Sequence, residues 1–292
     1  MNIMFMNTDG SVDSTVEINH STANGPTLVN SDNFGKAIEN IGDFDGDGVD
    51  DIASGAVGDD RCANEDNTCS MRGAVHILYM NTDGSVKSTV EINDSTANGP
   101  ELTDDDRFGY DIANIGDLDG DGVNDLAVGA FKDDEGGTDR GAVHIMFMNT
   151  DGSVDSTVEI NSSTTNGPKL RDGDRFGYGI ANMGDLDNDG VNDLAVGAPY
   201  DDKCASGAEG CTNRGAVHIM YMKTDGSVKS TVEINDSTAH GPFLDGGDEF
   251  GRSIVNMGDL DGNEINDLAV GALQDDAGGT GRGAVHIIFL DR

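Results

Sequence analysis

Short apolar runs alternate with polar clusters along the whole chain. Runs rich in Val, Ile, Ala, Met and Phe are separated by Asp, Asn, Gly and Thr, and long amphipathic helical windows are scarce. Such runs predict β-strands bounded by turns. From Phe108 onward the first strand reads Phe108-Gly-Tyr-Asp-Ile-Ala-Asn-Ile115 and the second Asp125-Leu-Ala-Val-Gly-Ala130. The third is Gly141-Ala-Val-His-Ile-Met-Phe-Met148. Asn-Thr-Asp-Gly then supplies a hairpin turn into Ser156-Thr-Val-Glu-Ile160. No run approaches the roughly 18 apolar residues of a membrane span.

This group of four strands recurs. Phe-Gly stands at Phe34, Phe108, Phe176 and Phe250, at intervals of 74, 68 and 74 residues, and Gly-Ala-Val-His-Ile begins at Gly73, Gly141, Gly215 and Gly283. Four short strands per repeat predict an all-β propeller with one four-stranded antiparallel blade per repeat. The chain reads as a single domain over 1–292, with units at about 34–107, 108–175, 176–249 and 250–292. It opens inside a third strand, because Asn2-Ile-Met-Phe-Met aligns with His144-Ile-Met-Phe-Met, and it ends in another, Gly283 to Leu290. Residues 1–33 are therefore expected to complete the last blade by supplying its outer strand. The same overlap allows strand exchange between two chains, as a homodimer or an eight-bladed ring. A chain that starts and ends within strands also reads as part of a longer surface protein.

The long and short intervals alternate because units one and three carry a larger loop, and each such loop holds a cysteine pair, Cys62/Cys69 and Cys204/Cys211. Zinc would need closer spacing and partner ligands nearby. Two local disulfides, and an extracellular or cell-surface location, are expected instead. Charge narrows the partners. The 55 Asp and Glu outnumber 17 Lys and Arg, for a net charge of −38, which argues against nucleic acid or an anionic membrane. Met1 to Met6 has no basic segment and is too short for a secretory signal.

Between the first two strands of each unit lies an acidic loop: Asp43 to Asp51, Asp117 to Asp125, Asp185 to Asp193 and Asp259 to Asp267. Carboxylates at alternating positions repel one another unless a hard cation lies between them. Calcium, with six to eight oxygen ligands at about 2.3–2.6 Å, suits such a loop.

Phe-Gly, then Gly-Asp-x-Asp-x-Asp-Gly-x-x-Asp, then Leu-Ala-Val-Gly-Ala resembles the FG-GAP repeat of integrin α heads and of bacterial and archaeal surface proteins. The resemblance implies one blade per repeat, calcium in the acidic loop and an extracellular location. It departs from the seven blades usual in integrin heads. In unit one the expected calcium ligands are Asp43, Asp45, Asp47, the Val49 carbonyl and Asp51. Unit two offers Asp117, Asp119, Asp121, Val123 and Asp125; unit three offers Asp185, Asp187, Asp189, Val191 and Asp193. Unit four has Asp259, Asp261, Asn263, Ile265 and Asp267. Asn263 loses a charge there, and Glu264 replaces a turn glycine, so this site is expected to be the weakest.

His76, His144, His218 and His286 share one position of the third strand and read as packed, hydrogen-bonded core residues. Arg72, Arg140, Arg214 and Arg282 are expected to pair locally with the acidic pairs Asp59/Asp60, Asp133/Asp134, Asp201/Asp202 and Asp275/Asp276. Asn19, Asn93, Asn161 and Asn235 stand in Asn-x-Ser/Thr sequences and read as turns after the fourth strand. No Gly-x-Ser-x-Gly, phosphate loop or His-Glu-x-x-His is present, and the units are nearly identical, so a non-catalytic protein is expected. The leading reading is a calcium-stabilised binding or adhesion module for a protein or glycan. A purely structural spacer and a lectin-like propeller stay open beside it.

Overall fold

The computed structural model describes residues 1–61, 69–203 and 212–291, and among these every regular element is a strand. A hairpin opens the chain, β1 (Asn2–Met6) with β2 (Val12–Glu17). Unit one contributes β3 (Phe34–Gly42), β4 (Asp51–Ala56), β5 (Ala74–Met80) and β6 (Val86–Ile92). Unit two contributes β7 (Phe108–Gly116), β8 (Asp125–Ala130), β9 (Ala142–Met148) and β10 (Val154–Ile160). Unit three has β11 (Ile180–Gly184), β12 (Asp193–Ala198), β13 (Ala216–Met222) and β14 (Val228–Ile234). Unit four has β15 (Phe250–Gly258), β16 (Asp267–Ala272) and β17 (Ala284–Ile288). Consecutive strands of a unit pair antiparallel, so each unit is one blade of a β-propeller. The first three blades have four strands and the last has three.

Blades stack face to face, and the alternation of side chains along β9 shows how. Val143, Ile145 and Phe147 point forward into a core shared with unit three. Met146 and Met148 point back into the core shared with unit one. Both faces are buried, which is why the third strands read as continuous apolar runs.

The glycines of the two sequence motifs meet at these junctions. A Cβ on Gly55, at the end of the second strand, would lie 1.9 Å from the carbonyl oxygen of Gly109 in the next blade's Phe-Gly. Gly109 itself has φ +84°, a conformation that side chains rarely adopt. Gly197 and Gly251 repeat the contact between units three and four at 1.9 Å. Where no neighbouring blade follows, as at Gly271, an added Cβ would meet only Ser253 of its own blade.

Residues 1–33 do not complete the last blade. Among the described residues β1 pairs with β2 alone, and β17 pairs only with β16. The hairpin instead packs on unit one, where Ile18, Met1 and Ile3 meet Leu78, Met80 and Val86. Closing a hairpin through the Asp9-Gly10 turn costs far less chain entropy than bringing the two ends of the chain together. Two end faces consequently stay exposed. One carries Met4, Met6 and Val12, the other Val285, Ile287 and Phe289.

Candidate functional site

Each acidic loop is organised by its own carboxylates. In unit one Asp43 accepts from the backbone N–H of Asp47 (2.9 Å) and of Gly48 (2.9 Å). The closing Asp51 is buried and accepts from Phe44 N–H (3.0 Å) and from Met80 N–H on β5 (2.9 Å). Asp125, Asp193 and Asp267 make the same pair of contacts in their own blades. Burial pushes the Asp125 and Asp193 carboxyls up to about 6, which the nearby loop carboxylates reinforce.

Carboxylate oxygens of loop positions one, three and nine converge in every unit. Those of Asp43, Asp45 and Asp51 lie within 4.8 Å of one another, as do the sets Asp117/Asp119/Asp125, Asp185/Asp187/Asp193 and Asp259/Asp261/Asp267. These clusters can hold a metal ion. The fifth position is bound differently from unit to unit. In unit one the Lys87 ammonium bridges Asp45 (2.6 Å) and Asp47 (2.7 Å); in unit three Lys229 bridges Asp187 (2.7 Å) and Asp189 (2.6 Å). A side-chain cation thus sits where these loops favour positive charge, and the donor set fits a hard cation. In unit two the matching strand position is Asp155, and Asp121 accepts from the backbone N–H of Val123 (2.8 Å).

Unit four differs as its sequence implies. The Asn263 amide donates to the Leu290 carbonyl just beyond β17 (2.7 Å), presenting an N–H₂ group where the other loops have a carboxylate. Glu264 is held at φ +70°, against +90°, +95° and +89° for Gly48, Gly122 and Gly190. Asn188 takes the other left-handed position of its loop at φ +60°.

The eighth loop residue carries a role that the sequence reading missed. Asn124, Asn192 and Asn266 donate their side-chain N–H₂ to carbonyls of Ile41, Ile115 and Met183 in the preceding blade, at 3.0, 2.9 and 2.8 Å. Unit one, with no full blade before it, has Asp50 there. That switch from Asp to Asn was the available signal. Each acidic loop is therefore tied to the junction behind it.

The third-strand histidines are packed but not hydrogen-bonded. His76, His144 and His218 are buried edge-on against Phe34, Phe108 and Phe176 at 5.4–5.5 Å, and among the described residues neither ring nitrogen of any of the three has a hydrogen-bond partner. The repeat fixes their place for packing against these phenylalanine rings. The arginines also pair elsewhere than expected. Arg72 contacts Asp94 (2.5 Å) and Asp104 (2.9 Å), Arg140 contacts Asp172 (2.8 Å) and Arg214 contacts Asp236 (2.5 Å). These acids lie in the connection after the fourth strand, which the long side chain reaches, while Asp59, Asp133 and Asp201 turn into the blade. The Asn-x-Ser/Thr sites form turns as expected: Asn93 accepts from Ser95 N–H (2.9 Å) and donates to Glu91 (2.6 Å). Cys69 is disulfide-bonded, whereas Cys62, Cys204 and Cys211 lie outside the described residues.

The inner strands surround a cavity of about 830 Å³. The residue after each Phe-Gly faces it, and here the otherwise uniform units diverge: Lys36, Tyr110, Tyr178 and Arg252. Tyr110 and Tyr178 lie 4.3 Å apart, the Lys36 ammonium sits 3.7 Å from the Tyr110 ring centre, and Arg252 lies 4.9 Å from that of Tyr178. Divergence within a repeat was the signal for this surface.

A family model for the FG-GAP repeat matches residues 108–146 and 176–220. Integrin alpha-PS2 of Drosophila melanogaster is 36% identical over 181 residues, covering 58% of this chain and 12% of that protein. Human integrin alpha-6 is 35% identical over 169 residues, covering 58% of this chain and 13% of its own length. Integrin alpha pat-2 of Caenorhabditis elegans is 30% identical over 249 residues, covering 79% and 17% respectively. The matches thus span less than a fifth of each of these relatives. Among solved structures, a Bacillus licheniformis rhamnogalacturonan lyase aligns over 78% of this chain and 38% of its own, with 14% identity and a TM-score of 0.39, a likeness too slight to bear on fold or activity. Repeat match, relatives and blade architecture agree: the chain carries FG-GAP repeats and is integrin-like in them.

Proposed function

We propose that this chain is a calcium-stabilised, non-catalytic binding module acting outside the cell. The observation that carries the reading is the convergence of three carboxylates in each of the four acidic loops, on a backbone bent by left-handed residues. Calcium would be held by the carboxylates at positions one, three and nine, joined at position five by Asp47, Asp121 or Asp189 in the first three units and by Asn263 in the fourth, with Val49, Val123, Val191 and Ile265 offering carbonyls. Its role is mechanical. It neutralises a loop that is hydrogen-bonded both to its own third strand and, through Asn124, Asn192 or Asn266, to the blade behind. The disulfide-bonded Cys69 supports an oxidising location.

The ligand-facing surface is the axial cavity with Lys36, Tyr110, Tyr178 and Arg252. Its tilted aromatic rings and cations suit an acidic protein segment, and the tyrosines also favour a second reading, a glycan. A glycan array separates the two. The exposed end faces favour association of two chains head to tail, because each carries residues whose counterparts in other units are buried at internal junctions. Calorimetric titration with calcium tests the central claim. Binding of several equivalents with a raised melting temperature is expected, and absence of heat would refute it. Light scattering tests association, with a strict monomer excluding it, and turnover of a polysaccharide would overturn the non-catalytic reading.

A further inference from the structure

Apart from the acidic loops, one group of potential metal ligands stands out among the described residues: Asp133, His144 and Glu159, with one donor atom of each within 4.8 Å of the others. Strand register builds it. His144 on β9 lies directly opposite Glu159 on β10 and Val128 on β8, and Asp133 follows β8, tied back by its N–H to the Ala130 carbonyl (3.1 Å). Asp133 is 3% exposed and His144 1% exposed, and both ring nitrogens lack a hydrogen-bond partner. An unpartnered imidazole beside buried carboxylates is costly unless something bridges them.

Units one and three place a cation among the matching carboxylates, although His76 and His218 are themselves without a hydrogen-bond partner there. There the residue two after the first aspartate is a cation. Arg61 contacts Asp59 (2.7 Å) and Glu91 (2.6 Å), while Lys203 contacts Glu233 (2.5 Å). Glu91 and Glu233 stand opposite His76 and His218 just as Glu159 stands opposite His144. In unit two the corresponding residue is Glu135, which reaches Glu159 closely enough to share a hydrogen bond. Positive charge is built into the first and third blades, and an acid takes its place in the second.

We propose that Asp133, His144 and Glu159, joined by Glu135, bind a divalent first-row transition metal such as zinc. An imidazole nitrogen with two or three carboxylate oxygens suits zinc and disfavours calcium, which takes oxygen ligands alone. A groove of about 340 Å³ bordered by Glu101, Asp155, Glu159 and His144 gives the ion a path from solvent, with acidic walls. Bound there, the metal would join the β8–β9 connection to β10 and supply the ionic link that Arg61 supplies in unit one.

The test uses the full chain with its loops saturated with calcium, titrated with zinc by calorimetry. One equivalent of zinc is expected. Glu135→Arg, which copies unit one, should keep the melting temperature and abolish uptake; Glu159→Gln should weaken binding at least tenfold. Arg61→Glu, which copies unit two, should create a second equivalent. Cobalt(II) in the same site should shift the His144 ring protons in NMR spectra. Absence of zinc uptake overturns the proposal. So does uptake that is unchanged in Glu159→Gln together with no gain in Arg61→Glu, and that pair decides the matter even if Glu135→Arg fails to fold.

Discussion

Units one and two share a backbone plan and differ most in where positive charge comes from. Unit one has Arg61 between Asp59 and Glu91 and Lys87 across its acidic loop. Unit two has Glu135 and Asp155 at the same two places. Unit three repeats unit one with Lys203 and Lys229. One fold thus meets the same electrostatic problem with resident side chains in units one and three, while in unit two the proposed ions would have to take their place. Resident cations hold a blade together in any medium, at the cost of competing with metal for the same oxygens. Unit two has no such side-chain competitor at either place.

The largest contrast should come from the core. Phe108 is fully buried between blades, whereas Phe34 has only the hairpin before it and is half-buried. Phe108→Ala should cost about 3–5 kcal/mol in chemical denaturation, and Phe34→Ala distinctly less. Equal losses would mean that the hairpin covers unit one as well as a full blade would. Next comes calcium. At one hundred times its dissociation constant a bound ion contributes about 2.7 kcal/mol, so chelation should raise amide exchange in the loop it leaves about a hundredfold. That loss should be greatest around β7 and β8, where no lysine stands in, and smaller around β3 and β4. Lys87→Gln should tighten calcium in the first loop.

Acidity sharpens the comparison further. Burial, reinforced by Asp201, pushes the Asp174 carboxyl up to about 8, while its unit-one counterpart Asp32 is raised with Arg61 nearby to oppose the rise. A carboxyl raised in the folded state binds more protons there than in the unfolded chain. Its stabilising contribution is therefore complete at low pH and is lost as pH rises from about 4 to about 8. Metal-free protein should gain stability on acidification across that window, by at most about 1.4 kcal/mol per pH unit from this group. Asp174→Asn should flatten the slope and Asp32→Asn should change it less. The smallest effect concerns unit four. Glu264→Gly should relieve a left-handed side chain and stabilise the chain by about 1 kcal/mol, seen as a small rise in melting temperature.

Much of this was legible in the residues because it is written locally. The acidic loops hold their ligands within nine consecutive positions, and the strands between them carry a continuous apolar code repeated four times. What escaped was set by neighbours distant in sequence. Arg72 offered a choice between Asp59 nearby and Asp94 and Asp104 further on, and only the fold shows which its guanidinium reaches. The histidines read as hydrogen-bonded because buried imidazoles usually are, yet their position is fixed by the ring of Phe34, Phe108 or Phe176. The N-terminal segment was assigned to the last blade from matching strands, a matter of register that ignores how readily a short hairpin closes on itself. Asn124 and Glu135 did leave a trace, each being a place where one unit breaks the pattern of another.

The two end faces have a consequence for how such a chain can change over time. Met4, Met6 and Val12 match Met146, Met148 and Val154, which are buried against the preceding blade, while Val285 and Ile287 match Val143 and Ile145, buried against the following one. Both ends are thus copies of surfaces already fitted to each other. Whole units can be gained or lost by recombination between near-identical repeats without any new interface having to evolve, and the array keeps compatible ends at every length.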